Sequence, residues 1–340
     1  MQSVTGDLFA VEAPHGVGPR GNVYVGTCSW SDPSLIKAKT FYPRGHGSAE
    51  RRLKYYASVF PVVEVDSSYF AIPSPTNAAL WAERTPPGFM FSVKAFRLFT
   101  GHQTPREAFP PDIQPLLPAL TGRQKNHYYE DLPPVIQDEL WRRFIEAIAP
   151  LQSAGKLKAV HFQFAPWVQL TPERIAHIEH CIERMRGHLV AVEFRNKTWL
   201  ADDRVECTLD WLRGLPAVHV VVDEPQGVGN YAQGVWEVTH PELAIVRLHG
   251  RNAETWNAKG LGASSERFNY EYSDPDLLGL AQRIEALAQL AFMVIVLVNV
   301  NFEDQGIRAA RKLMVLLAEL APENVFQQIG PVPDSTEGPR

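Results

Sequence analysis

Cysteine is scarce in this 340-residue chain: Cys28, Cys181 and Cys207 are the full set. Three is an odd number and no C-x-x-C spacing occurs, which argues against a disulfide framework or a structural zinc site and points to a reducing compartment. No stretch approaches the roughly 18 consecutive apolar residues of a membrane span. The N-terminus lacks a basic region followed by an apolar core, so the expectation is a soluble, cytoplasmic protein without a membrane partner. Positive charge is not in excess either, with 33 basic against 38 acidic residues and a formal net charge of -5. No global field draws in nucleic acid, and any anion site must be local. Neither G-x-G-x-x-G nor G-x-x-x-x-G-K-[ST] opens a helix, which removes the usual phosphate loops of open α/β sheets. H-x-x-x-H and H-E-x-x-H are absent too, so nothing supports zinc.

What the chain does have is apolar content, 45% of its residues, enough for one large α/β domain. Eight short runs rich in β-branched or aromatic residues stand out: Val23 to Ser29, Val62 to Ser67, Phe89 to Lys94, Ala159 to Gln163, Val190 to Arg195, Val218 to Asp223, Ala244 to His249 and Val294 to Asn301. Helix signals fall between them, including caps at Ser48, at Thr171 before Pro172, and at Ser273 or Asp274. The alternation predicts a single-domain (β/α)8 TIM barrel over residues 21–328, with Gly- and Pro-rich flexible tails at 1–20 and 329–340. Two connections are long. Residues 103–137, with Pro105, Pro110, Pro111, Pro115, Pro118, Pro133 and Pro134, read as an inserted loop or lid. Residues 250–273 are rich in aromatic and basic side chains, and in a barrel both insertions belong to the C-terminal mouth.

Period-two alternation places polar residues of each strand on one side. Glu64 pairs in this way with Asp66, Ser92 with Lys94, His161 with Gln163, Glu193 with Arg195, His219 with Asp223, Arg247 with His249 and Asn299 with Asn301. Burying so many ionisable groups without partners is too costly, so they must be paired, hydrated or in use. Paired carboxylates divide acid and base roles when their surroundings separate their pKa values, and arginines hold carboxylate or phosphate through two parallel hydrogen bonds. Barrels are normally filled by apolar layers, which favours a shared site over a set of structural ion pairs. His161 and His219 lie earlier in their strands and read as satisfied core or lower-layer residues, and parity turns Cys28 toward the helices as a buried thiol. Glu64, Asp66, Glu193, Asp223 and His249 could together hold Mg²⁺ or Mn²⁺, but Lys94, Arg195 and Arg247 neutralise the carboxylates and weigh against a metal. Trp30, Tyr69, Trp167 and Trp199 follow strands closely and could stack on a sugar or nucleobase, or simply pack the loops on the rim.

Several segments resemble the YecE-like family, the domain of unknown function 72. They include G-T-C-S-W at 26–30, V-E-V-D-S-S-Y-F at 63–70, F-S-V-K-A at 91–95, F-Q-F-A-P at 162–166, V-E-F-R-N-K-T-W at 192–199, V-V-D-E-P at 221–225, V-R-L-H-G-R at 246–251 and R-F-N-Y-E-Y-S at 267–273. The resemblance implies a TIM barrel whose typical polar positions fall on Glu64, Lys94, Gln163, Glu193, Arg195, Asp223, Arg247 and His249. Asp66 stands where the family usually has Asn. V-N-V-N-F replaces the usual F-N-N, leaving Asn299 and Asn301 as alternatives for one role, and residues 103–137 exceed the usual length of that loop.

Two functions compete. In the first, the chain is an enzyme, a hydrolase or isomerase acting by acid/base chemistry on a small anionic or sugar-like, polyhydroxylated substrate such as a sugar phosphate or a nucleic-acid fragment. Glu64, Glu193, Asp223 and His249 are then its catalytic candidates, and Lys94, Gln163, Arg195, Arg247, Asn301, Trp30, Tyr69 and Trp199 its binding candidates. In the second, it binds single-stranded nucleic acid or another anionic ligand without turnover, with Arg251, Lys259, Arg267 and the loop aromatics as a stacking surface for nucleic acid.

Overall fold

The computed structural model describes residues 21–225, 232, 234–256 and 264–320; both expected tails lie outside them. The eight expected strands are present: β1 (Val23–Thr27), β2 (Val62–Val65), β3 (Met90–Lys94), β4 (Leu157–Gln163), β5 (Val190–Glu193), β6 (Val218–Asp223), β7 (Ala244–Leu248) and β8 (Val294–Val298). They pair in parallel in chain order and close into a barrel through β8 and β1. Around it lie α1 (Pro33–Ala38), α2 (Ala49–Val59), α3 (Ser67–Phe70), α4 (Pro75–Glu83), α5 (Pro134–Ser153), α6 (Pro172–Arg184), α7 (Val205–Gly214), α8 (Ala253–Trp256), α9 (Asp274–Ala288) and α10 (Gln305–Leu320). The expected caps hold: the side chains of Ser48, Thr171 and Ser273 accept first-turn N–H groups of α2, α6 and α9.

Strand parity sorts the barrel into two faces. Val63, Val65, Phe91, Val93, Val160, Phe162, Val190, Val192, Val246, Val294 and Val296 join the layer against the helices. Inside the lumen a separate apolar cluster contains Val62, Met90, Ala159, Ala191, Val218, Val220, Ile245 and Ile295. These bulky layers fill the lower barrel, and the polar residues begin above them. Cys28 belongs to this inner cluster, not to the helix side. The sequence expectation was inverted because Val23 and Val25 face the helices, which puts Tyr24, Gly26 and Cys28 on the inner parity.

The β1–β2 seam is short, with only Gly26 opposite Val62 and Thr27 opposite Val63. Glycine is required there because a Cβ on Gly26 would lie 1.9 Å from the Val62 carbonyl oxygen. The buried Tyr56 of α2 completes the seam: its hydroxyl accepts from Thr27 N at 2.8 Å and donates to Val62 O at 3.1 Å. Tyr56→Phe leaves both groups without that partner and is expected to cost about 1–3 kcal/mol. Thermal unfolding checks this, and a melting temperature equal to wild type would show that the seam does not depend on the hydroxyl.

The connection from β3 to α5 is built of short 3-10 turns and the Thr104–His127 bridge. Its anchors run to the outer helices. Asp112 receives two hydrogen bonds from Arg143 of α5, and the Tyr129 hydroxyl accepts from Trp141 Nε1 at 2.9 Å and meets His180 of α6. The first residues of the connection are tied to the barrel side: Ala95 N donates to His161 O at 2.8 Å and Arg97 N to Tyr69 O at 3.0 Å.

Candidate functional site

Arg247, on β7, is fully buried at the centre of the upper lumen. Its Nη2 donates to Glu64 Oε1 at 2.7 Å, and its Nη1 donates to Glu193 Oε2 at 2.7 Å and to Gln163 Oε1 at 3.0 Å. His161 closes the ring from below, with Nδ1 2.9 Å from Glu64 Oε2 and Nε2 3.2 Å from Glu193 Oε2. His161 is thus the satisfied lower-layer residue that its place in the strand suggests, and it belongs to the polar network. Cys28 Sγ approaches Arg247 Nη2 at 3.5 Å.

One layer higher, Arg195 bridges two acids. Its Nη1 donates to Glu193 Oε1 at 3.0 Å, and its Nη2 lies 3.1 Å from Glu224 Oε2. Arg195 follows the end of β5, which frees its long side chain to lean over the lumen. Asn299 Nδ2 lies 2.7 Å from His249 Nδ1, and His249 Nε2 lies 3.2 Å from Arg195 Nη1, 3.3 Å from Arg247 Nη1 and 3.5 Å from Glu193 Oε1. Trp256, in the long loop after β7, roofs this corner with its ring 5.4 Å from the Arg195 guanidinium and 6.2 Å from the His249 ring. Lys94 pairs with Asp66 at 2.9 Å on the β2–β3 side, and its ammonium lies 4.7 Å from the Tyr69 ring centre.

The charge states follow from these partners. Burial alone would raise the Glu64 carboxyl, but Arg247 and His161 hold it below its ordinary value. Glu193 is likewise held well below its ordinary value, Arg247 and His249 outweighing burial. Glu224 goes the other way: burial pushes it up to about 7, Glu193 and Asp223 adding to the rise and Arg195 opposing it. Burial and Arg247 lower His249 to about 3, so it is a neutral hydrogen-bonding imidazole near pH 7. Burial and Glu64 push the Cys28 thiol up, which leaves it protonated and unsuited to nucleophilic attack. Two carboxylates of opposite tendency thus share one guanidinium.

Among the sequence-predicted residues, Glu64, Gln163, Glu193, Arg195, Arg247 and His249 come together in this network, and Lys94 and Tyr69 stand at its edge. Others do not join it. Asp223 accepts from Arg251 Nη2 at 2.8 Å and from the Tyr272 hydroxyl at 2.7 Å. Asn301 donates to Asp32 at 3.2 Å, beside a cleft of about 280 Å³ that also meets Asp66, Asn299 and Cys28. Trp30 packs edge-on against Trp81, and the buried Trp199 stacks on Phe194 and donates to Val168 O, both away from the network. His219 Nε2 meets Val235 O at 3.0 Å on the outer face of β6.

Glu224 is the functional candidate that strand parity missed. Val218, Val220 and Val222 fill the lumen, so two residues on it is Glu224, not Asp223, that faces inward. The error came from assuming that polar side chains of every strand face the axis. In β6 the inner layers are apolar, and that regularity was the readable signal.

The five residues weighed as metal ligands are divided among Arg247, Lys94 and Arg251, and among the described residues no group of three or more His, Cys, Asp or Glu is arranged to hold a metal ion. On the surface considered for nucleic acid, Arg251 is paired with Asp223 and Asp276, Arg267 is exposed, and Lys259 lies outside the described residues. No helix among the described residues is long and apolar enough to cross a membrane.

Fold and lumen define a closed (β/α)8 barrel with a buried arginine–carboxylate layer beneath its C-terminal mouth. The family model described as "Protein of unknown function DUF72" matches residues 24–333, and the chain belongs to that family. It is 29% identical over 297 residues to the UPF0759 protein YunF of Bacillus subtilis, covering 87% of this chain and 94% of that protein. A crystal structure of a DUF72 family protein from Enterococcus faecalis is similar at a TM-score of 0.70 and 25% identity, covering 87% of this chain and 95% of that one. Another, from Thermotoga maritima, gives a TM-score of 0.67 at 26% identity, covering 86% and 98%.

Proposed function

We propose that the barrel mouth is the active site of an acid/base enzyme acting on an anionic, polyhydroxylated substrate of the sugar-acid or sugar-phosphate kind. The observation that carries this is Arg195, held between Glu193, which stays ionised, and Glu224, whose carboxyl exchanges a proton near pH 7. Separated pKa values at neighbouring acids are what divided acid and base roles require. In this reading Glu224 takes up or delivers the proton, Glu193 and Glu64 fix Arg247, and Arg195 stabilises negative charge that develops on the substrate. Lys94 binds its ground-state charge. The adjoining cleft, with Asp32, Asp66, Asn299 and Asn301 in its lining, supplies acceptors and amides for hydroxyl groups.

Sugar phosphates, uronic acids and their glycosides, incubated with the full chain in deuterated water, would show either deuterium incorporation at carbon or release of the leaving group. The first outcome identifies an isomerase and the second a hydrolase. Absence of both across the panel would end the proposal. Lys94→Met is expected to raise KM about tenfold with kcat nearly unchanged, the pattern of lost uniform binding. A fall in kcat alone would instead place Lys94 in the chemical step.

A further inference from the structure

The β3–β4 side of the mouth carries a cation that neither the ion-pair network nor the proposed chemistry uses. Arg97 lies in the segment after β3, and its backbone is pinned: its N–H donates to Tyr69 O at 3.0 Å, and its carbonyl accepts from His102 N at 3.1 Å and Thr100 N at 3.3 Å. The residue is half-buried, and its guanidinium lies 5.2 Å from the Tyr69 ring centre, the same ring that Lys94 approaches at 4.7 Å. The three cations of the network each have a carboxylate: Lys94 has Asp66, Arg195 has Glu193 and Glu224, and Arg247 has Glu64 and Glu193. Among the described residues no carboxylate forms a salt bridge with Arg97, and its buried Nε has no hydrogen-bond partner. Two cations over one ring repel each other, and only one of them is neutralised.

Aromatic groups continue the row outward. The His102 ring meets Tyr69 edge-on at 5.1 Å and Trp167 at 5.6 Å. Trp167 is 50% exposed, yet its indole is fixed by a hydrogen bond from Nε1 to Gly101 O at 3.0 Å. Gly101 reaches that geometry at a φ of 74°, a region that favours glycine. A held indole with its surface open to solvent offers a stacking platform for a ring. His102 is lowered to about 3 by burial and by Lys94, Arg97 and Arg195, which places three cations within electrostatic range of one imidazole.

We infer that Arg97, Tyr69, His102 and Trp167 form a subsite for an anionic group carried on a ring, with Arg97 binding the anion and Trp167 stacking on the ring. It deepens the acid/base reading of the same mouth by specifying how the substrate's charged end is held. The planar fork of a guanidinium suits a carboxylate or a phosphate, and these share the chemistry needed here.

Binding of inorganic phosphate, glucuronate and glucose 6-phosphate to the full chain, measured by calorimetry and by tryptophan fluorescence, tests the inference without requiring turnover. Wild type should bind the ring anions more tightly than phosphate alone, and whichever ring anion is preferred identifies carboxylate or phosphate. Arg97→Gln should weaken all three at least tenfold while melting at or above the wild-type temperature, because it removes an uncompensated cation beside Lys94. Trp167→Ala should abolish the advantage of the ring and leave inorganic phosphate unchanged. Absence of anion binding to the wild type overturns the inference, and so does unchanged affinity in Arg97→Gln. A lower melting temperature with unchanged affinity would assign Arg97 to holding the loop. Since affinity and turnover are read separately, a chain that binds these anions but catalyses nothing overturns the acid/base reading alone.

Discussion

Arg247→Met is expected to lose about 3–5 kcal/mol of folding stability, the usual consequence of removing one partner from a buried ion cluster. The side chain is fully buried and its two amino groups serve Glu64 and Glu193 at 2.7 Å each, so the methionine leaves two carboxylates inside the barrel without their main counter-ion. His161, Lys94 and Arg195 compensate only in part. The contribution of these two carboxylates to the pH dependence should reverse in sign as well. In the wild type both carboxylates are held below their unfolded value of 4.5, so their contribution is present above that pH and is lost as pH falls through the folded values. Without Arg247, burial dominates and raises them, and as pH falls from 8 toward 5 the variant should gain more stability than the wild type, in which Glu224 alone gives such a rise. Denaturant unfolding at both pH values measures the two effects. Adding Glu64→Gln and Glu193→Gln to Arg247→Met should recover part of the loss, since the carboxylates are what the methionine leaves unpaired. A variant as stable as wild type at pH 8 would show that the lumen is hydrated enough to do without its central cation.

The same cluster shows what was legible in the sequence. The barrel could be read because helix caps and eight β-rich runs agree with one topology, and local and global preferences do not conflict. The polar layer could be read in part, since Glu64, Gln163, Glu193 and Arg247 lie on regular strands where parity holds and His249 directly follows one. It failed where a strand's inner face is apolar, as with Val222 before Glu224, and where Val23 and Val25 set the outer face and so turn Cys28 inward. It was silent on loops. Asn299 against His249, Trp256 over Arg195 and Arg97 over Tyr69 depend on how connections fold back across the mouth, and alternation carries no information there. Trp30 and Trp199 show the reverse: residues that follow strands closely can still be turned into the helix layer.

Glu224→Gln should separate catalysis from stability. If Glu224 transfers the proton, its amide loses about 10²–10⁴-fold in kcat/KM, the range for a positioned acid or base. The same substitution should make the protein more stable at alkaline pH. The carboxyl titrates near 7 when folded and near 4.5 when unfolded, so between these values the native state binds more protons and stability falls as pH rises. At about 1.4 kcal/mol per pKa unit, the wild type gives up roughly 3 kcal/mol across that window. An amide does not ionise, so the variant should melt above the wild type at pH 8 and lose that advantage at pH 5, offset by the weaker bond that a glutamine makes to Arg195. Urea unfolding at the two pH values, set beside the rate on whichever substrate the panel identifies, reads both effects. Retained turnover would remove Glu224 from the chemical step, and a stability difference that does not change with pH would mean that its carboxyl is ionised in the folded protein. If both effects appear, the chain keeps a destabilising acid beneath its mouth at neutral pH because the chemistry depends on it.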